Sequence, residues 1–355
     1  MSGIIITALV ILAFIVIYQI ASANDTATAL QKDQGEVREK RNKVMAWLML
    51  IVFIVGLWGI YYCDSYLRPM MLPVPASTQG VGIDWMSNIT LVILAIAFFI
   101  TQIMLFGFIF AYKGKKKRTA HYYPHNNRLE IMWTTIPAMV LLLLIIMGLK
   151  DWFHLTSKAP KNAMVVEIVG RQFNWIIRYP GADGVLGKKD FRLINDATNV
   201  LGLDWNDPAS RDDIIVENGE MHVIKDKPVS LVINSRDVIH DVGLPYFRMK
   251  MDAVPGITTH IWFTPTITTK EMIKKTGNPN FVYEIACDQL CGRSHYSMRG
   301  TVIVQTPSEF KQWISSKTPY YALQQHNSEE EPDNNTTSPQ ADTTQQSVAA
   351  VHHLD

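Results

Sequence analysis

Four stretches of the chain hold no Asp, Glu, Lys or Arg: Gly3 to Ile20, Val44 to Tyr62, Ile89 to Tyr112 and Ile131 to Leu149. Each reaches or approaches the roughly 20 apolar residues a helix needs to cross a bilayer. Inside lipid every backbone N–H and C=O must be satisfied within the protein, so such stretches become helices. The pattern predicts four transmembrane helices arranged as hairpins. Trp47, Trp58, Trp133 and Trp152 fall towards the ends of these runs or just past them, where aromatic belts form.

Loop charges orient the set. The loop over residues 21–43 carries Lys32, Arg38, Lys40, Arg41 and Lys43. The loop between the third and fourth runs carries Lys113, Lys115, Lys116, Lys117, Arg118 and Arg128, whereas the loop between the second and third has Arg68 alone. Excess Lys and Arg mark cytoplasmic loops. Both termini, and everything after Lys150, are then expected on the outer side. Ala21-Ser22-Ala23 looks like a signal-peptidase site. The run before it has no basic leader and exceeds the roughly 7–15 apolar residues of a signal peptide, so a retained span is expected. Cys63 reads as a buried thiol without chemistry, and Pro137 is placed within the first two turns of the fourth helix.

With 48% hydrophobic and 18% charged residues, the chain suits a part-membrane, part-globular protein. From Asp151 the composition turns soluble. Val165–Val169, Val229–Ile233, Thr258–Phe263, Phe281–Ala286 and Gly300–Val304 are short β-branched or aromatic runs separated by Gly, Pro, Asn and Asp, the pattern of a sandwich or barrel. Residues 324–355 are rich in Gln, Asn, Ser, Thr and acids and are expected to be a disordered tail. No nucleic-acid signature is present.

The chemistry is concentrated in Cys287-Asp288-Gln289-Leu290-Cys291-Gly292-Arg293-Ser294-His295-Tyr296-Ser297-Met298. Two thiols, an imidazole and a thioether are soft or borderline ligands, which select copper, zinc or an iron–sulfur cluster over magnesium or calcium. A second imidazole stands upstream in Asp237-Val238-Ile239-His240. Cys287 and Cys291 are close enough in sequence for both sulfurs to touch one metal or to bridge two. A single blue-copper site takes one Cys, two His and an axial Met, one Cys fewer than here. Two cysteines outside the cytoplasm also suit a disulfide, and Cys₂His₂ is a zinc set. Neither gives Met298 a role.

The spacing C-x-x-x-C-x-x-x-H-x-x-M with an upstream D-V-x-H resembles the copper site of cytochrome c oxidase subunit II. That resemblance implies a binuclear copper centre (CuA). Cys287 and Cys291 would bridge, His240 and Met298 would complete one copper, and His295 with the backbone carbonyl of Gln289 the other. It implies a cupredoxin-like, all-β Greek-key sandwich over residues 151–323, carried by a transmembrane hairpin within residues 63–150 (spans about 89–112 and 131–149). Residues 1–62 are then two additional N-terminal helices, whose simplest role is packing against another subunit.

Further segments extend the likeness. Leu129-Glu130-Ile131-Met132-Trp133-Thr134-Thr135-Ile136-Pro137 is similar to the family's E-x-x-W-T-x-x-P, which makes Glu130 a candidate for the mouth of a proton channel. Gly170-Arg171-Gln172-Phe173-Asn174-Trp175 is similar to G-x-Q-W-x-W, whose first Trp accepts electrons. Phe173 stands at that position, with Trp175 retained. Lys250-Met251-Asp252-Ala253-Val254-Pro255-Gly256 resembles a segment that faces subunit I. The family's Glu between the cysteines, which reaches a magnesium ion shared with subunit I, is Gln289 here. An amide keeps the carbonyl but lacks the charge a hard cation prefers, so Glu-ligated magnesium is not expected.

The resemblance implies an electron-accepting oxidase subunit of a bacterial inner (cytoplasmic) membrane, with the copper domain periplasmic. Its partners would be subunit I, subunit III, a cytochrome c-type donor, surrounding lipid and possible respiratory supercomplexes. A nitric- or nitrous-oxide-reducing system with the same centre, or a membrane-anchored copper electron carrier, are the alternatives. No C-x-x-C-H haem attachment motif is present, so the donor is another polypeptide. Acids between Asp204 and Glu220 form either a patch that steers a basic cytochrome or a solvated loop. His154, His222 and His260 have no ligand spacing to anything.

Overall fold

A computed structural model describes residues 10, 12–23, 34–115 and 118–330, with the side chains of 34–37, 69 and 327–330 left aside. The chain divides into two compact units. One comprises the first 158 residues with Pro245–Met249, the other residues 159–244 with 250 onward.

The first unit is helical. Among the described residues three helices are long and apolar enough to span a bilayer: α2 (Gln34–Leu67), α3 (Thr78–Ala111) and α4 (Asn127–Thr156). The first predicted span, Gly3 to Ile20, lies partly outside the described residues; its later part is the short apolar helix α1 (Leu12–Ala23), which falls short of a full span. The chain itself covers almost none of the apolar surface of α3 and α4, leaving that surface to lipid or partner subunits.

The helices outrun the apolar stretches that announce them. At about 1.5 Å per residue, α2 and α3 extend beyond a hydrocarbon core of about 30 Å. α3 begins before Ile89 because Ser77 caps it: the Ser77 hydroxyl accepts the Gly80 N–H at 2.8 Å and donates to the Phe247 carbonyl at 2.7 Å. Such a cap satisfies one of the orphan donors of a helix start. Asn126 does the same for α4, accepting the Leu129 N–H at 3.2 Å. With α4 starting at Asn127, Pro137 falls in its third turn, deeper than the sequence suggested. Cys63 lies exposed on α2 rather than buried, because no other described part of the chain covers it. α2 packs on α3 through aromatic rings, Trp47 edge-on to Phe110 at 5.1 Å and Phe53 stacked on Phe106 at 4.7 Å.

The second unit is a sandwich of two five-stranded sheets. Its strands are β1 (Met164–Arg171), β2 (Asn174–Tyr179), β3 (Ile214–Val216), β4 (Glu220–Ile224), β5 (Val229–Ser235), β6 (His240–Leu244), β7 (Met249–Ala253), β8 (Thr259–Phe263), β9 (Tyr283–Cys287) and β10 (Arg299–Gln305). One sheet runs β3-β2-β1-β5-β8 and the other β4-β10-β9-β6-β7. Both are mixed, with β1 parallel to β5 and β10 parallel to β4.

Inward-facing Val166, Ile168, Leu231, Ile233, Met221 and Ile285 are fully buried between the sheets, each worth about 1.5–3 kcal/mol against exposure. β1 is buried on both faces, because Val169 and Ile176 also pack against Val200, Leu201, Leu203 and Tyr320. That second cluster docks α8 (Tyr320–Glu330), so helix persists seven residues into the expected tail. Residues 331–355 lie outside the described residues. Two further helices, α6 (Thr269–Thr276) and α7 (Pro307–Ser315), each start on a Thr–Glu capping box, and a single turn, α5, spans Pro208–Arg211. His222, one of the unassigned histidines, is buried and stacked on Trp313 of α7 at 3.8 Å, a packing role.

Candidate metal centre

Strand order brings the chemical residues to one end of one sheet. β9 ends at Cys287, β6 begins at His240, and β10 begins directly after Met298; β9 lies between β10 and β6. The pairing Val242 to Cys287 and Gly243 to Ala286 fixes the register, so the His240 and Cys287 side chains meet across neighbouring strands. The loop from Asp288 returns through a 3₁₀ turn at His295–Ser297, bringing Cys291, His295 and Met298 back to the same place.

The result is a chain of close contacts. Cys287 Sγ lies 3.9 Å from His240 Nδ1, 3.8 Å from Cys291 Sγ and 3.2 Å from the Gln289 carbonyl oxygen. Cys291 Sγ lies 3.7 Å from His295 Nδ1 and 3.8 Å from Met298 Sδ. His240, Cys287, Cys291 and Met298 are buried. The His240 nitrogen and the two sulfurs lie within 4.8 Å of one another. The cysteines are free; their sulfurs stand well beyond the roughly 2 Å of a disulfide.

Three residues that the spacing did not single out hold this arrangement. Asp237 accepts from His240 Nε2 at 2.8 Å, which leaves Nδ1 with its lone pair toward the sulfurs; such a carboxylate fixes tautomer and ring orientation. Asp237 also accepts the Gln172 and Val238 N–H groups, each at 2.7 Å. Burial pushes its carboxyl up, but these donors and the His240 ring outweigh it and hold the group below its usual range. Gln172 in turn donates from its side chain to the Cys291 carbonyl at 2.6 Å, joining the two loops. Gly170 lies under the imidazole: a Cβ there would sit 2.6 Å from His240 Cδ2, so only glycine lets β1 approach so closely. The signal for all three was the G-x-Q and D-V-x-H segments, whose polar residues had no assigned partner.

The other predicted positions are distributed as follows. Phe173 is half-buried, and its ring edge would lie 3.1 Å from a Cβ at Gly292, next to Cys291. Trp175 is wholly buried, 5.9 Å centroid to centroid from the His240 ring, so it offers no surface to an external donor. The Gln289 side chain points out to solvent. Lys250 pairs with buried Asp241 at 3.0 Å, and Asp252 is exposed. Glu130 is exposed in the first turn of α4, in the other unit. Among the acids from Asp204 to Glu220, Asp207 accepts the N–H groups of Lys188 and Ala209, and Asp213 is buried against Arg178. Those two are structural.

With no metal bound, burial together with the neighbouring Cys287 sulfur pushes the Cys291 thiol up to about 11. A metal entering this site displaces protons from sulfur. The donor set comprises two thiols, two imidazole Nδ1 atoms, a thioether and a carbonyl. It suits a soft or borderline redox metal and contains no carboxylate ligand for a hard one.

A cupredoxin-like sandwich with sulfur and imidazole gathered at one end, preceded by apolar membrane helices, defines a membrane-anchored redox subunit. Residues 65–150 match the family described as "Cytochrome C oxidase subunit II, transmembrane domain", and residues 164–306 match "Cytochrome C oxidase subunit II, periplasmic domain". An "Alternative cytochrome c oxidase subunit 2" of Bradyrhizobium diazoefficiens is 36% identical over 250 residues, 70% of this chain and 85% of the relative. A "Cytochrome c oxidase subunit 2" of Cereibacter sphaeroides is 27% identical, covering 67% of this chain and 77% of its own. The solved periplasmic domain of subunit II of Bradyrhizobium japonicum cytochrome oxidase is 25% identical. It aligns with 45% of this chain and 96% of its own, at a TM-score of 0.31. The chain belongs to the cytochrome c oxidase subunit II family. It is an oxidoreductase subunit of a haem–copper oxidase, membrane-bound with a periplasmic domain.

Proposed function

We propose that this chain is the electron-accepting subunit of its oxidase, receiving electrons from an external cytochrome c-type donor and delivering them to haem in subunit I. Oxygen is reduced there to water, with proton translocation across a bacterial inner membrane, and subunit III completes the core assembly. The observation that carries this reading is the convergence of two unbonded thiols with His240 Nδ1, His295 Nδ1 and Met298 Sδ in contacts of 3.7–3.9 Å. Cys287 and Cys291 would bridge two coppers. His240 and Met298 would complete one, and His295 with the Gln289 carbonyl the other. Bound there, a copper pair supplies one-electron transfer with the charge shared over two centres.

The protein's own work is to fix geometry and exclude water. Asp237 holds the His240 tautomer, Gln172 ties the Cys291 backbone to the Asp237 loop, and Gly170 lets the imidazole seat. Burial of the sulfurs keeps the surroundings from rearranging on electron transfer, the division of labour expected of a protein around a redox group. Phe173, half-exposed and packed beside Gly292, is the electron-accepting surface residue. Gln289 keeps a carbonyl beside Cys287 but brings no charge for magnesium.

Electron paramagnetic resonance of the full-length chain loaded with copper tests the reading. An electron delocalised over two copper nuclei splits into more hyperfine lines than one confined to a single nucleus, and metal analysis should give two coppers per chain. One copper per chain with the simpler pattern would favour the membrane-anchored carrier instead.

Glu130 is assigned the proton-channel mouth. In the assembled oxidase, Glu130→Gln should lower turnover severalfold and change its pH profile while electron input from the donor is unchanged. An acid that only complements the α4 dipole, worth about 0.3–1 kcal/mol, would instead shift melting slightly and leave turnover alone.

A further inference from the structure

At one end of α2 and α3 lies an open pocket of about 250 Å³ lined by Glu39, Lys43, Lys113, Gly114 and Lys115. Its position along the chain fixes its depth. Lys43 immediately precedes the apolar run that starts at Val44, and Lys113 immediately follows the run that ends at Tyr112. The lining therefore sits where hydrocarbon gives way to headgroups. The basic loops place it in the cytoplasmic leaflet.

The cavity is built rather than incidental. Trp47 on α2 meets Phe110 on α3 edge-on at 5.1 Å, and Ala46 is buried, which seats the two helices against each other just below it. Asn42 donates to the Gly114 carbonyl at 3.3 Å, and a Cβ at residue 114 would lie 2.9 Å from the Asn42 amide nitrogen. That hydrogen bond ties the loop to α2. Lys113 is held in place, donating to the Phe110 carbonyl at 3.0 Å with its ammonium 3.9 Å over the Phe110 ring. Among the described residues neither Lys43 nor Lys115 has an acidic partner. Three ammonium groups against the single carboxylate of Glu39 leave the lining with two net positive charges.

We propose that this cavity binds the phosphate of an anionic phospholipid headgroup, with the acyl chains lying along α2 and α3. A phosphate is the ligand that several lysines around one small cavity recognise, and basic pockets between transmembrane helices on the cytoplasmic side bind such headgroups. The apolar surface that would receive the chains adjoins the cavity: Met45 and Leu48 on α2 and Leu105 and Phe108 on α3 are all exposed. Residues 39 and 43 lie outside the family match, which starts at residue 65, so the extra helix supplies two of the five lining residues. That gives the N-terminal extension a role of its own, independent of the copper reading.

The test is lipid retention by the purified oxidase containing the full-length chain. After delipidation in detergent it is titrated with phosphatidylglycerol, with phosphatidylcholine of the same acyl chains, or with inorganic phosphate, and bound lipid is counted by native mass spectrometry. The wild type should retain phosphatidylglycerol in preference to phosphatidylcholine, and millimolar phosphate should not displace it. Each lysine near an anionic headgroup is worth about fivefold in affinity, so Lys43→Gln with Lys115→Gln should weaken retention by roughly 25-fold, while Lys43→Arg with Lys115→Arg restores it. Equal retention of the two lipids by the wild type would overturn the proposal without any variant. So would unchanged phosphatidylglycerol binding in the glutamine pair, and displacement by free phosphate would reassign the cavity to a soluble anion.

Discussion

Replacing Cys291 by serine should empty the centre while leaving the sandwich folded. Cys291 Sγ is the hub of the cluster, within 3.7–3.8 Å of His295 Nδ1, Met298 Sδ and Cys287 Sγ. A hydroxyl is shorter and harder than a thiolate and cannot be shared between two soft metals in the same way. Changes only one shell further out commonly cost 10–100-fold in metal affinity, so loss of the hub itself should exceed roughly 100-fold. Metal analysis after dialysis should find copper well below two per chain, with the multi-line spectrum gone and reduction by the donor abolished. Circular dichroism should be nearly unchanged, since the substitution alters one atom in a loop and strands the hydroxyl at a cost of about 1–3 kcal/mol. Cys63→Ser is the matched control: that thiol lies exposed on α2, and its loss should change nothing. Retention of two coppers by Cys291→Ser would refute the bridging assignment.

Arg178→Met should be the most destabilising single change in the sandwich away from the metal site. Arg178 is 1% exposed and donates to Asp213 at 3.1 Å, to Glu167 at 2.9 Å and to the Gly187 carbonyl. Glu167 and Asp213 are themselves buried, with Lys189 on the second oxygen of Glu167. Methionine fills the space of the stem but removes the guanidinium from both carboxylates, leaving buried Asp213 with the Gly187 N–H and no cation. Breaking a buried pair in this way costs about 3–5 kcal/mol, which in a domain of this size lowers Tm by roughly 10 °C. Thermal melting of the full chain in detergent, followed by the β-sheet signal in circular dichroism, checks it.

The pH dependence carries a sign. Burial raises Glu167, but Lys189 and Arg178 outweigh it and hold the carboxyl low; its contribution is present above the ordinary carboxylate range and is lost as pH falls through its depressed value. Asp213 is pushed up by burial despite Arg178; it costs stability when ionised, and the cost is relieved as pH falls through its raised value. Without the guanidinium both groups move upward, so the deficit of Arg178→Met should be largest near neutral pH and should shrink on mild acidification. A deficit that grows toward acid would contradict this account.

The last three membrane segments and the chemical cluster were legible because each rests on residue type and spacing alone. An uncharged run of twenty residues has few alternatives in lipid, and C-x-x-x-C-x-x-x-H-x-x-M is read without knowing any partner. What escaped was long-range. The starts of α3 and α4 were misplaced because Ser77 and Asn126 act as caps only in the folded geometry. Gln172 and Asp237 looked like loop polars, since nothing local says that one clasps the Cys291 backbone and the other the His240 ring. Gly170 is required by a ring seventy residues away. β2 and β6 were hidden in segments noted only for their aromatic or histidine content, and the docking of Tyr320 that extends α8 depends on the separate cluster around Leu203.

The unbonded sulfurs of Cys287 and Cys291 stand 3.8 Å apart, and an inward shift of under about 2 Å would weld them. The periplasm is a compartment that oxidises neighbouring thiols. If these sulfurs hold copper as proposed, maturation of this subunit is a race, in which copper arrives while both sulfurs are reduced or a dithiol reductant reopens them. The closeness that lets two atoms share one cofactor leaves the newly made chain perishable until it is filled.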